Sequence, residues 1–100
     1  MTESIRSIDK YGDQIWKLPN GKIHRVDGPA VIYPNGHQEW WVNNVRHRLD
    51  GPAIVRANGH QRWYIHGVNV TDQVTAWMTE NNIGWPFDAD THMEFIMRFV

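Results

Sequence analysis

Along the first 70 residues, apolar side chains recur at every second position in short runs; beyond that they recur every three or four positions. Ala30-Val-Ile-Tyr33 is a β-branched run suited to a pleated strand. Pro34-Asn-Gly-His37 reads as a turn, because Asn-Gly accepts positive φ at little cost. Gln38-Glu-Trp-Trp-Val42 is the return strand, Asn43-Asn44 a second tight turn, and Val45-Arg-His47 the start of a further short strand. His66-Gly67 and Asn20-Gly21 match the Asn43-Asn44 turn in the neighbouring units. Asp-Gly-Pro cannot continue a central ladder, since Pro has no N–H to give and Asp favours side-chain-capped turns. Each unit therefore runs strand, turn, strand, turn, short strand, corner.

The pattern is a repeat. His-Arg-x-Asp-Gly-Pro-Ala stands at His24–Ala30 and again, 23 residues on, at His47–Ala53. A shorter word stands three times, as Gly12-Asp-Gln-Ile-Trp16, Gly36-His-Gln-Glu-Trp40 and Gly59-His-Gln-Arg-Trp63. Where a third long phrase would fall, the chain reads Val70-Thr71-Asp72-Gln73. The first unit has one more residue than the second, 11 positions from Trp16 to Asp27 against 10 from Trp40 to Asp50, which predicts a bulge or a longer turn there.

Period-two alternation assigns faces. Ala30 with Ile32, Ala53 with Val55, Trp40 with Val42, and Trp63 with Ile65 are expected in the core. Val31, Tyr33, Trp41, Ile54, Arg56 and Tyr64 fall on the opposite face, an aromatic and cationic set. In the tail, Val74, Trp77, Met78 and Asn81 lie at helical spacing after a Thr71 or Asp72 N-cap. Asn81-Asn82-Ile-Gly84 stops that helix. Thr91-His-Met-Glu94 reads as a capping box opening a second helix, with Met93, Ile96, Met97 and Val100 on one stripe expected in the core and Phe95 and Phe99 beside it. The two helices should pack on one face of the sheet, the Trp40/Trp63 face. The expected fold is α+β: an antiparallel meandering β-sheet of repeats, residues 12–70, capped by helices over 71–100, in one domain spanning 1–100.

Composition changes this picture little. The 41% hydrophobic and 21% charged content is that of a folded chain. With no Cys, disulfides and thiolate metal sites are excluded. The N-terminal stretch lacks the apolar core of a signal peptide, and no run approaches a membrane span. Residues 1–70 carry a net charge of +3 and residues 71–100 a net of −4, too little basic charge to argue strongly for nucleic acid.

The His-Arg-x-Asp-Gly-Pro-Ala phrase, the Asn-Gly turn and the Trp-Trp or Trp-Tyr pair together resemble the small MORN-like repeat proteins encoded by tailed bacteriophages, over about residues 12–70. The tail, Val-Thr-Asp-Gln…Trp with its late Phe/Met stripe, also resembles the ending such proteins carry. The resemblance implies a β-repeat sheet made during infection and residing in the cytoplasm of the infected bacterial host. It further implies a small accessory protein that binds and inhibits or redirects a bacterial host or defence protein. It brings no catalytic residue.

The phrase itself has two readings. As a site, His with Asp could hold a metal, and Arg could clamp a phosphate. As scaffold, Asp27, Gly28, Pro29 and their copies Asp50, Gly51, Pro52 build a corner that each unit needs, each Asp capping its own Gly-Pro turn while Arg or His bonds to it from the neighbouring strand. Recurrence favours the scaffold, since a catalytic site needs one constellation rather than one per unit. His24, His37, His47 and His60 line up along the array, but no His-Glu-x-x-His helix or carboxylate pair accompanies them. No metal or other cofactor is expected. Ser4 and Ser7 occupy no nucleophile elbow, so no enzyme is expected either. Tyr33, Trp41, Arg46, Arg48, Arg56, Arg62 and Tyr64 form the candidate partner-binding set, because Trp, Tyr and Arg are enriched in interface hot spots. The same residue types could stack bases beside a cationic groove, so nucleic-acid or nucleotide binding is the alternative. The acidic tail could mimic nucleic acid. A strand near Trp16 left unpaired could join a second copy, giving a homodimer.

Overall fold

The computed structural model describes residues 3–100. Among these residues ten short strands precede two helices. Six strands form one antiparallel sheet in the order β1 (Ile5–Ile8), β2 (Gln14–Lys17), β3 (Val31–Ile32), β4 (Gln38–Glu39), β7 (Ile54–Val55), β8 (Gln61–Arg62). Between β4 and β7 the chain leaves this sheet for the hairpin β5 (Trp41–Val42) and β6 (Val45–Arg46). After β8 it repeats the excursion with β9 (Tyr64–Ile65) and β10 (Val68–Asn69). Each return strand is thus divided at Trp40 or Trp63, its first half in the main sheet and its second in a hairpin.

The turns follow from their residues. Asn43 and Asn44 (φ 50° and 68°), and His66 and Gly67 (φ 50° and 80°), occupy the left-handed pairs of the tight hairpins. The extra residue of the first unit lengthens the corresponding connection: Leu18 N–H donates to the Lys22 carbonyl across Pro19-Asn20-Gly21. The phrase histidines lock the hairpins onto the preceding unit. His24 Nδ1 accepts the Asn43 N–H at 3.0 Å, and His47 Nδ1 accepts the His66 N–H at 2.8 Å.

The corner is also built the same way twice. Arg25 Nε donates to Asp27 at 2.9 Å, its Nη1 to the Pro29 carbonyl at 3.1 Å, and its guanidinium lies 4.0 Å from the Trp16 ring centroid. Arg48 repeats all three, to Asp50 at 2.8 Å, Pro52 at 3.0 Å and Trp40 at 3.9 Å. The third unit lacks the Arg, and the chain compensates. Trp16 and Trp40 donate their backbone N–H to the Ala30 and Ala53 carbonyls of the next corner, but Trp63 donates to the Thr71 hydroxyl. Phe87 stacks on the Trp63 ring at 5.6 Å, a ring partner where Trp16 and Trp40 each have an Arg.

The helices α1 (Thr71–Glu80) and α2 (Ala89–Phe99) bury Val74, Trp77 and Phe95 against Trp63 and Ile65. Several expectations are corrected. The helices pack on the last unit, with His92 of α2 reaching the Leu49 carbonyl at the second corner; Trp40 lies outside their core and is shielded by Arg48. Neither Thr71 nor Asp72 caps α1: the N-cap is Val70, and the Thr71 hydroxyl serves Trp63 and Asn69. Thr91 does not open α2, because Asp88 accepts the Thr91 N–H and starts the helix one turn earlier. That setting turns Phe95 fully inward and leaves Met93, Met97 and Val100 of the expected core stripe exposed. The strand at Trp16 is not a free edge, since β1 pairs along all of β2.

The two sheet faces also differ from the simple alternation. Ala30 and Ala53 are fully buried, but so are Val31 and Ile54, while Ile32 and Val55 are only half-buried. Val31, Glu39 and Ile54 are direct cross-strand neighbours, so they form one row on the face opposite the helices. Trp41 and Arg46 reach Glu39 in the middle of the row.

Candidate functional site

Glu39 stands at the centre of that second face, with 8% of its surface exposed. Strand alternation places a lone acidic residue there between Val31 and Ile54, where a bare carboxylate would be costly. Three neighbours compensate. His37 Nε2 lies 2.8 Å from Glu39 Oε2, Trp41 Nε1 donates to Glu39 Oε1 at 2.9 Å, and Arg46 Nε donates to the same oxygen at 3.4 Å. Burial pushes the Glu39 carboxyl toward neutrality, but the hydrogen bonds from His37 and Trp41 and the Arg46 charge outweigh it, so its pKa falls below the usual glutamate value.

Arg46 joins this buried anchor to the rings above it. Its guanidinium lies 4.9 Å from the Trp41 centroid and 5.6 Å from the Tyr64 centroid. β6 supplies Arg46 directly opposite Trp41 of β5, which is what brings cation and indole together. Tyr33 lies beside the cluster, its ring edge-on to His37 at 5.1 Å. Burial, and then the Glu39 charge, raise the Tyr33 phenol pKa, so the phenol stays protonated and able to donate.

Of the candidate binding residues, the fold gathers Tyr33, Trp41, Arg46 and Tyr64 around Glu39. It does not bring Arg48 to them: that guanidinium is spent on Asp50, Pro52 and Trp40 at the corner. Arg62 is the cross-strand neighbour of Ile54, one strand beyond, and Arg56 follows β7; both are exposed. Among the described residues neither forms an ion pair with a carboxylate. Asp27, Gly28, Pro29, Asp50, Gly51 and Pro52 all lie at the two corners described above.

Glu39 and His37 were not singled out together by sequence, though a signal existed. The positions equivalent to Tyr33, Glu39 and Arg46 one unit later are Arg56, Arg62 and Asn69. Tyr33, Glu39 and Arg46 are thus what the repeat does not copy, whereas His37 recurs as His60 and Trp41 has Tyr64 as its counterpart. Among the described residues no three His, Asp or Glu side chains are grouped to hold a metal ion, and no helix is long and apolar enough to cross a membrane. No protein-family model matches the chain, and neither a curated protein nor a solved structure does.

Proposed function

We propose that this chain is a small non-enzymatic interaction module that grips a protein partner with the face built on Glu39. The observation that carries the reading is the Arg46 guanidinium held beside the Trp41 and Tyr64 rings by a buried carboxylate. A cation and two aromatic rings fixed before binding lose little freedom on contact, and these are the side chains that dominate interface energies. In the setting suggested by the phage-type repeats, the partner is a bacterial host or defence protein. Occupying part of its surface would inhibit or redirect it in the cytoplasm of the infected cell.

Nucleic-acid binding fits this face less well. Arg46 is neutralised by Glu39, Arg25 and Arg48 are committed to their corners, and a fixed carboxylate at the centre repels phosphate. The test is capture from bacterial lysate with and without nuclease, using the wild type and Tyr64→Ala. The expected result is a nuclease-resistant protein partner whose binding weakens at least tenfold in Tyr64→Ala, with the melting curve retained, and only modestly between low and moderate salt. Capture lost to nuclease, or steeply lost with salt, would replace this reading with the nucleic-acid one.

A further inference from the structure

We propose that the groove between the two Asp-Gly-Pro corners is a second binding site, one that takes a tryptophan side chain from a proline-containing segment of a partner protein. It lies on the helix-bearing side of the sheet and does not depend on the Glu39 face.

The structure contains its own precedent. At the second corner, Trp85 of the Trp85-Pro86-Phe87 segment donates its indole N–H to the Asp50 carbonyl at 3.3 Å and lies 5.4 Å from the Arg48 guanidinium. The contact requires a glycine: a Cβ on Gly51 would lie 2.8 Å from the Trp85 ring. His92 meets the Leu49 carbonyl at 3.1 Å from the same side. Gly51 and Pro52 are buried as a result.

The first corner presents the same parts uncovered. Arg25, Asp27 and Gly28 repeat Arg48, Asp50 and Gly51 in sequence and in their internal hydrogen bonds. The three atoms nearest a Cβ built on Gly28 all belong to Arg25, the closest at 2.9 Å, whereas at Gly51 the Trp85 ring is among them. Val26, the counterpart of Leu49, is 80% exposed against 40%, and the Arg25 side chain 23% against 14% for Arg48. Between the corners lies a groove of about 620 Å³, walled by Arg25, Asp27 and Gly28 on one side and Arg48 and Leu49 on the other, with Trp40 between them. Shifted by one unit, this is the space that Trp85 and Phe87 fill. Trp40 already has Arg48 over its ring, as Trp63 has Phe87. The vacant position is therefore the one equivalent to Trp85: a flat indole on a bare glycine, an N–H toward the Asp27 carbonyl, and a guanidinium alongside.

The test is titration of the isotopically labelled full chain with a synthetic peptide of the chain's own Ile-Gly-Trp-Pro-Phe-Asp sequence, followed by amide NMR. Saturable shifts centred on Val26, Gly28 and Leu49 are expected, and at least tenfold weaker binding when the peptide's Trp is replaced by Ala. Gly28→Ala should weaken binding at least tenfold by filling the floor. Val26→Glu, an exposed change that leaves the corner untouched, should do the same by repelling the acidic peptide. Absence of saturable shifts, shifts centred instead on Gly51 through displacement of Trp85, or binding unchanged in Val26→Glu would overturn the proposal. So would a concentration-dependent dimer of the free protein abolished by Trp85→Ala, which would assign the groove to a second copy.

Discussion

The guanidinium of Arg48 lies over Trp40, 3.9 Å from the ring centroid, while its nitrogens bridge Asp50 and the Pro52 carbonyl. One side chain thereby ties a strand to the corner that follows it. We expect Arg48→Ala to cost about 1.5–3 kcal/mol, the range for hydrogen bonds to charged groups in a shielded site. Arg48→Lys should recover little of it, because an ammonium has neither the fork nor the stacking plane. Asp50→Ala should lose less than either, since the Pro52 and Trp40 contacts of Arg48 remain. Chemical denaturation of the three variants checks the order.

Acid should weaken the fold through Glu39. Its folded pKa lies below the unfolded value, so the ionised form contributes stability that is complete above the ordinary glutamate pKa and is lost as pH falls through the folded one. Glu39→Gln should be less stable at neutral pH, because a neutral amide cannot accept from His37, Trp41 and Arg46 as the carboxylate does. It should also show a flatter decline below about pH 4.5. Melting temperatures across pH 3–7 read both effects.

His47 makes a second pH-dependent contribution, in a higher window. Burial, and then the neighbouring His66, lower its pKa, and its Nδ1 must stay unprotonated to accept the His66 N–H. The two rings stack at 4.3 Å. Stability from this contact is present above the unfolded histidine value and declines as pH drops from about 6.5 toward the lower folded pKa. Replacing His47 with Gln should remove that upper step and leave the acidic one from Glu39 in place.

The tail makes a sharp contrast within one helix. Phe95 is fully buried against Trp63 and Trp77, so Phe95→Ala should cost about 3–5 kcal/mol. Met97, two residues on, is 80% exposed. Met97→Ser should change stability by no more than about 0.5 kcal/mol. Equal losses at both positions would show that α2 is rotated from the orientation described.

Much of this architecture was readable before any coordinates. The Asn-Gly and Asn43-Asn44 turns, the Pro corners and the change of period after residue 70 each declare themselves through backbone chemistry local to a few residues. What escaped was set by how side chains meet once the chain has turned, whether the residues are near or far apart in sequence. Asp88 and Thr91 are both sound cap residues, and only the packing of Phe95 against Trp63 decides between them. Arg48 reads both as a partner of the corner Asp and as a binding cation, because nothing in the sequence says that Trp40 lies beneath it. Glu39 reads as a solvated strand residue because its partners come from neighbouring turns and hairpins. β1 was missed because all four of its side chains are exposed and it shows no apolar period.

The replacement of an Arg by Thr71 and Phe87 at the third unit has an evolutionary corollary. A further repeat appended after residue 70 would need a corner to receive the Trp63 N–H, and that seat is already taken by a hydroxyl and a ring. A duplicated 23-residue block spliced in upstream would meet matching surfaces on both sides. Lineages bearing this ending should therefore vary in length by whole internal rungs, with the same terminator carried along unchanged.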